Sequence, residues 1–231
     1  MIFENLELLV QPQAGSYGAA LNMAVDEVLL IHARNPVLRV YGWARPAVSF
    51  GYFEPWAPVA QAHPDREWVR RWTGGGVVLH GEDWTYSIIV PRDLPFARVG
   101  AAESYRLLHE LLAGAMRRAS LPGMGGMGGG DVALTPESAH KISHACFENP
   151  AQYDVLLAGQ KIAGAAQRRS RWGMLHQGSV QGVALTGNFA DCLAGGLAKT
   201  VTTRSFSPDA LAEAEELAAT KYGTEEWQRR F

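Results

Sequence analysis

Cysteine is scarce in this chain: Cys146 and Cys192 are the only two in 231 residues. Two thiols cannot build the disulfide framework of a small secreted domain, which points to a reducing compartment. Long apolar runs are missing as well. No stretch approaches the ~18 consecutive apolar residues that a membrane span needs. The opening Met1-Ile2-Phe3-Glu4 carries an early acid where a signal peptide has a basic leader. These features predict a cytoplasmic protein that enters no membrane. Nor is there an excess of charge of one sign: the formal net charge is −2, which argues against a nucleic-acid binder. One local basic cluster, Arg168-Arg169-Ser170-Arg171, is still able to meet an acidic partner. With no internal repeat and no linker-like stretch, residues 1–231 read as a single domain, long enough to bury a sizeable core.

Helical spacing is clearest at Leu21–Leu30, where Leu21, Ala24, Val25, Val28 and Leu29 share a face and Asn22, Asp26 and Glu27 lie toward another. Asn35-Pro36 ends that helix. Runs rich in β-branched and aromatic residues follow at Val37–Tyr41, Ala47–Phe50, Trp68–Trp72 and Trp84–Val90, the last closed by Pro91. Tyr105, Leu108, Leu112 and Met116 mark a second helix over about 101–119. The glycine-rich Gly123–Gly130 segment reads as a loop; without a Lys-Ser/Thr ending it is no phosphate-binding P-loop. Tyr153–Leu157 and Lys161–Ala165 flank Ala158-Gly159-Gln160 as a hairpin, and Met174-Leu175 and Val180 bracket a further short strand. Ser207-Pro208 starts a helix to about Thr220, with a helical turn at Trp227. Strands cluster rather than alternate with helices, so the fold class is α+β, with a mixed, largely antiparallel sheet flanked by helices.

The chemistry concentrates in Arg70-Arg71-Trp72-Thr73-Gly74-Gly75-Gly76-Val77-Val78-Leu79-His80, with Trp84-Thr85-Tyr86-Ser87 beyond it. Consecutive glycines after a strand let a ligand lie against bare backbone. Adjacent arginines supply fixed charge, and His80 adds a side chain of a type able to titrate near neutrality. The same residues are also compatible with a plain glycine-rich turn between strands.

This run closely resembles the signature of the lipoate–protein ligase and octanoyltransferase family. Asn22–Glu27, Arg39–Trp43 with Ser49–Phe53, Asp154 with Gly159–Arg169, and Lys221–Trp227 resemble further motifs of that family, in its order. The resemblance thus runs from about Gly18 to Trp227. It implies the fold of biotin protein ligases, a mixed sheet with helices on one side, and a tunnel for an octanoyl or lipoyl chain walled by Gly74–Gly76. It implies that Lys161 contacts the acyl carbonyl, where an ammonium stabilises a developing oxyanion. Substrate contacts are implied for Arg70, Arg71, Thr73, Gly74, Gly75, Gly76, His80, Gly164 and Ala165.

Members of the family divide by chemistry. Ligases activate lipoate with ATP and Mg²⁺; transferases take octanoate already activated on acyl carrier protein. Cys146-Phe147, followed by Pro150 and Tyr153 ahead of the lysine motif, resembles the cysteine-nucleophile octanoyltransferases. The expected reaction therefore moves octanoate from octanoyl-acyl carrier protein, through a Cys146 acyl-enzyme, to a lysine of a lipoyl-domain protein such as the glycine-cleavage H protein, with no cofactor. The alternative is an ATP-dependent ligase working through lipoyl-adenylate, because some ligases also carry Cys-Phe here. Gly81-Glu82-Asp83 stands where ligases often have Gly-Asn after the signature histidine, and no C-terminal accessory domain is expected; both features favour the transferase. Gln177 stands where the family usually has histidine before Gly178-Ser179, with His176 one place earlier. Cys192 has no motif around it and reads as structural. His140, His144 and Cys146 form a weak zinc pattern without a fourth ligand, so no metal is expected. A non-catalytic binding protein on this fold would leave Cys146 and Lys161 idle.

Overall fold

The computed structural model describes residues 1–11, 16–119, 132–138, 150–185 and 187–231. Cys146, His140, His144 and the Gly123–Gly130 segment lie outside the described residues. Eleven strands are formed among the described residues: β1 (Phe3–Val10), β2 (Val37–Tyr41), β3 (Ala47–Phe50), β4 (Glu67–Arg70), β5 (Val77–His80), β6 (Trp84–Pro91), β7 (Val132–Leu134), β8 (Val155–Leu157), β9 (Gln160–Ser170), β10 (Gly173–Val180) and β11 (Ala198–Thr203). The helices are α1 (Ala19–His32), α2 (Trp56–Ala62), α3 (Ala101–Arg118), α4 (Phe189–Leu197), α5 (Pro208–Leu217) and α6 (Glu225–Gln228).

Eight strands make one mixed sheet in the order β11-β1-β2-β6-β10-β9-β8-β7, parallel where β1 meets β11 and β2 and antiparallel elsewhere. A second sheet, β4-β3-β5, lies apart from it. Side chains alternate across the large sheet as strand geometry requires. Ile88 joins a core with α3 and α4, while its neighbour Ile89 joins a core with α1 and α5. Helices therefore cover both faces, not the single face implied by the family resemblance. With both faces buried, β6 has no solvent side, and only its first residue escapes full burial.

Several elements differ from their sequence-based expectations. β4 ends at Arg70, because Arg71 and Trp72 already belong to the loop that follows. Gly173–Val180 is one continuous strand between β6 and β9, where only its ends carried a strand pattern. β9 extends to Ser170, five residues past the expected hairpin arm, because β10 pairs with it over that length. α5 stops at Leu217, and a π turn over Ala218–Tyr222 follows. Its start is as the sequence indicates, with the Ser207 hydroxyl accepting from the Ala210 amide.

Asn22, Asp26 and Glu27, read as the polar face of α1, are all buried. Asp26 accepts from Arg39 Nη1 at 2.7 Å, Ser87 Oγ at 2.5 Å and Gln177 Nε2 at 2.7 Å. Arg39 also donates to Asn22 Oδ1 at 2.7 Å. α1 is thus fixed to β2, β6 and β10 by charge-assisted bonds. Glu27 holds the π turn, accepting from Lys221 Nζ and Tyr222 Oη, each at 2.6 Å. Among the described residues no helix is long and apolar enough to cross a membrane.

Asp26→Ala leaves Arg39 buried without its carboxylate. The expected loss is about 3–5 kcal/mol of unfolding free energy, read by urea denaturation. A loss under about 1 kcal/mol, the range of an exposed pair, would remove this network from its central structural role.

Candidate active site

Between the two sheets lies a narrow cavity of about 30 Å³, well below the roughly 300–1,000 Å³ typical of small-molecule sites. Its walls come from α1 (Met23), β3 (Ser49), β5 (Val78, His80), the glycine loop (Gly75), β9 (Gly164, Ala165, Ala166) and β10 (Gln177, Gly178, Ser179). Many of these residues are polar, yet the surface they present is overwhelmingly apolar. The reason is that their polar atoms bond to one another. Arg71 Nη1 donates to Ser49 Oγ at 2.8 Å, and Ser49 Oγ is 2.6 Å from His80 Nε2. His80 Nδ1 reaches Asp83 Oδ2 at 2.7 Å. Arginine has only donors, so Ser49 accepts from it and gives its own proton to Nε2, leaving Nδ1–H to donate to Asp83. Burial holds His80 below the usual histidine range, against the pull of Asp83, which agrees with this neutral tautomer. Thr85 and Ser179 also donate to Asp83, at 2.8 and 2.7 Å.

The glycine loop takes its shape from close approach. Gly75 has φ +84°, and a Cβ on Gly51 would sit 1.8 Å from the Gly75 carbonyl oxygen. Only glycine permits both. Arg71 Nη2 then holds the loop by donating to the carbonyls of Gly74 and Gly76, at 3.0 and 2.8 Å. Thr73 Oγ1 donates to Gln177 Oε1 at 2.7 Å, while Gln177 Nε2 donates to Asp26. The departure at Gln177 is therefore a bridge between loop and α1. His176 faces the other side of β10, beside Tyr86 and Gln167.

Lys161 folds back along β9, so that a Cβ on Gly164 would land 2.7 Å from its Cε. Its ammonium is 2.7 Å from Asp154 Oδ2, and both side chains are almost fully buried. Lys161 therefore stands beside a residue of the cavity wall. A broader and more open hollow of about 380 Å³ shares Gly75, Ala165 and Ala166 with the cavity and includes Gly74, Tyr105 and Tyr153. On another side, Trp43 and His80 stack at 4.0 Å and separate the cavity from an open cleft that both also line.

The structure thus brings Arg71, Gly75, His80, Gly164 and Ala165 together at the cavity, with Lys161 buried behind Gly164. Gly74 faces the outer hollow, Gly76 contributes its carbonyl to Arg71, and Thr73 buttresses the loop from behind. Arg70 is placed elsewhere: its fully buried guanidinium donates to the carbonyls of Tyr52, Glu54, Trp227 and Gln228, clamping α6 onto the small sheet. Cys192 packs half-buried on the α3–α4 core. Among the described residues no group of three His, Cys, Asp or Glu could hold a metal ion. Sequence reasoning missed Trp43, which sat inside a motif without a role, and Tyr105, read only as part of an apolar stripe. It also missed the buried bond from Asp26 to Gln177.

A family model described as the lipoyl protein ligase A/B catalytic domain matches residues 18–229. The octanoyltransferase LipM of Kyrpidia tusciae is 37% identical over 178 residues, which cover 72% of this chain and 63% of that protein. The chain therefore spans just under two thirds of the length of that relative. The octanoyltransferase LipM of Brevibacillus brevis is 28% identical, with 91% of this chain and 95% of that protein covered. Among solved structures, a lipoate-protein ligase A bound with ATP has the same fold, with a TM-score of 0.70 at 18% identity over 99% of both chains. A bipartite lipoate protein ligase of Thermoplasma acidophilum, studied with its E2 lipoyl domain, gives 0.67 at 18% identity over 99% of this chain and 97% of that one.

Trp43→Ala removes half of the stack that closes the cavity and joins it to the cleft. Titration with fatty acids of increasing length should show the preferred chain lengthening; an unchanged length optimum would place the cavity's end elsewhere. Three buried histidines make stability pH-dependent. Burial lowers His109 to about 4, and burial, with the neighbouring His109, holds His176 well below the usual histidine range. The unfolded chain takes up these protons from about pH 6.5, so stability is lost as pH falls from there toward 4. His109→Asn, which retains a donor near Nδ1, should flatten the slope by about one proton over that window; an identical slope would show that His109 is not held neutral.

Proposed function

The chain belongs to the lipoyl protein ligase A/B catalytic domain family, and we propose that it moves an octanoyl group from octanoyl-acyl carrier protein to a lysine of a lipoyl-domain protein. The observation that carries this reading is the cavity itself. Its polar lining atoms are paired with one another, its exposed surface is carbon, and a lysine ammonium stands beside its wall. A lining of this kind suits an unbranched apolar chain ending in a carbonyl, for which the narrow cavity has to widen on binding. Each buried methylene is worth about 0.8 kcal/mol, so eight carbons are favoured over four by roughly 3 kcal/mol. The LipM relatives, named octanoyltransferases, support the same acyl group.

The reaction runs in two displacements. The Cys146 thiolate attacks the thioester carbonyl, and Lys161 stabilises the oxyanion that forms. Collapse expels the carrier thiolate and leaves an octanoyl thioester on Cys146. The acceptor lysine amine then attacks that carbonyl, the amide forms as the C–S bond breaks, the Cys146 thiolate departs, and the amine's proton passes to solvent, matching the one that the expelled carrier thiolate takes up. Exchange of one thioester for another is nearly balanced, so no ATP is required. Arg71, Ser49, His80 and Asp83 take no part in proton transfer; they keep the chain's end of the site dry.

Intact-protein mass spectrometry after mixing with octanoyl-acyl carrier protein, without ATP, tests this directly. One octanoyl group should appear on the protein, map to Cys146 and be absent from Cys146→Ser. No adduct, with transfer of free lipoate only once ATP and Mg²⁺ are added, would instead make the chain a ligase.

A further inference from the structure

Tyr105 belongs to no motif discussed above, yet its hydroxyl stands at the junction of three elements around Lys161. β8 pairs with β9 only as far as Val155 opposite Ala163. Beyond that point no strand among the described residues lies beside that edge of β9 at Ala165. The Tyr105 phenol, reaching in from α3, fills the gap. It accepts the Ala165 amide at 2.9 Å and lies 3.3 Å from the Ala165 carbonyl oxygen. It also donates to Asp154 Oδ1 at 2.5 Å. The other oxygen of that carboxylate, Oδ2, accepts from the Ala151 amide at 2.6 Å and meets Lys161 Nζ at 2.7 Å.

We propose that Tyr105 is a positioning residue for acyl transfer: through Asp154 and Ala165 it fixes the Lys161 ammonium relative to the acyl cavity. The inference deepens the octanoyl-transfer reading and rests on it. Asp154 is buried, so without the phenol one carboxylate oxygen loses its donor and can rotate toward the ammonium or the Ala151 amide. Ala165, a residue of the cavity wall, loses the partner of its amide in the same step. Both ends of the Lys161 setting loosen together. The phenol is itself well held. Its ring lies 4.1 Å from that of His109 and 5.6 Å from that of His176, and His109 Nδ1 donates to the Tyr153 carbonyl at 2.7 Å. Burial and the Asp154 charge keep its proton in place far above neutral pH, so it serves Asp154 as a fixed donor and does not shuttle protons.

The test is Tyr105→Phe, which keeps the ring and removes the hydroxyl. In octanoyl transfer from octanoyl-acyl carrier protein, kcat should fall about 10- to 100-fold, with KM for the donor within about twofold. In a Lys161→Ala background the same substitution should have a much smaller effect, because the hydroxyl acts chiefly through that lysine. An unchanged kcat, or an equal fall in both backgrounds, would overturn the proposal and leave Tyr105 a packing residue. A second readout does not depend on the activity: labelling of Lys161 by an amine-reactive reagent, mapped by mass spectrometry, should rise severalfold in Tyr105→Phe. Unchanged labelling would also overturn it. If the octanoyl-transfer reading itself is wrong, the unsubstituted protein shows no transfer, while the labelling comparison still decides the role of Tyr105.

Discussion

The carboxylate of Asp26 is where the fold and the site are joined. It is fully buried, and four donors from β2, β6 and β10 converge on it. A buried charge of this kind is tolerated only with paired and directed partners, which is why removing one partner is expensive. The donor from β10, Gln177, passes the constraint onward: its own carbonyl oxygen accepts from Thr73 at the root of the glycine loop. One carboxylate on α1 therefore sets the large sheet and, through a single amide, the loop that walls the cavity. Sheet, helix and loop can hardly shift independently around such a network.

The same logic governs the cavity. A gap between two sheets lined by arginine, histidine, serine and threonine would ordinarily fill with water. Here Arg71, Ser49, His80, Asp83, Thr85 and Ser179 satisfy one another in a directed chain. What faces the gap is carbon and glycine backbone. The polarity lies behind the wall, where it rigidifies the site and adds nothing to the affinity for water. Lys161, anchored by Asp154 and packed against Gly164, stands behind the part of the wall that β9 supplies.

Much of this was legible in the sequence, and the limits have physical causes. Strands rich in β-branched and aromatic residues, such as β2, β3 and β6, announce themselves because their local preference agrees with their burial. The caps at Ser207 and the turn at Gly159 are equally local. β1 and β11, by contrast, are parallel strands whose partners lie far apart in sequence, and no short-range pattern marks them. α4, with its glycines at 195 and 196, has little helical preference of its own and forms because it packs on α3 and β1. On α1, polar residues look solvent-facing until Arg39 and Ser87 are known to lie against them. In the site, the glycine run and its arginines were readable as a unit. Their division of labour was not: Arg70 and Arg71 are adjacent, but Arg70 ends β4 and clamps α6, while Arg71 opens the following loop and holds its carbonyls. Tyr105 has the spacing of an apolar stripe, and only the place where β8 stops gives its hydroxyl a task.

The account's central claim is that an acyl chain occupies the gap between the sheets with its carbonyl at Lys161. A crystal structure of the protein with a non-hydrolysable octanoyl amide of the carrier's pantetheine arm would test it most directly. The account predicts the alkyl chain running between Gly75 and Ala166 toward the Trp43–His80 stack, with the carbonyl oxygen within hydrogen-bonding reach of Lys161 Nζ. An alkyl chain lying in the outer hollow, with the inner cavity empty, would contradict it.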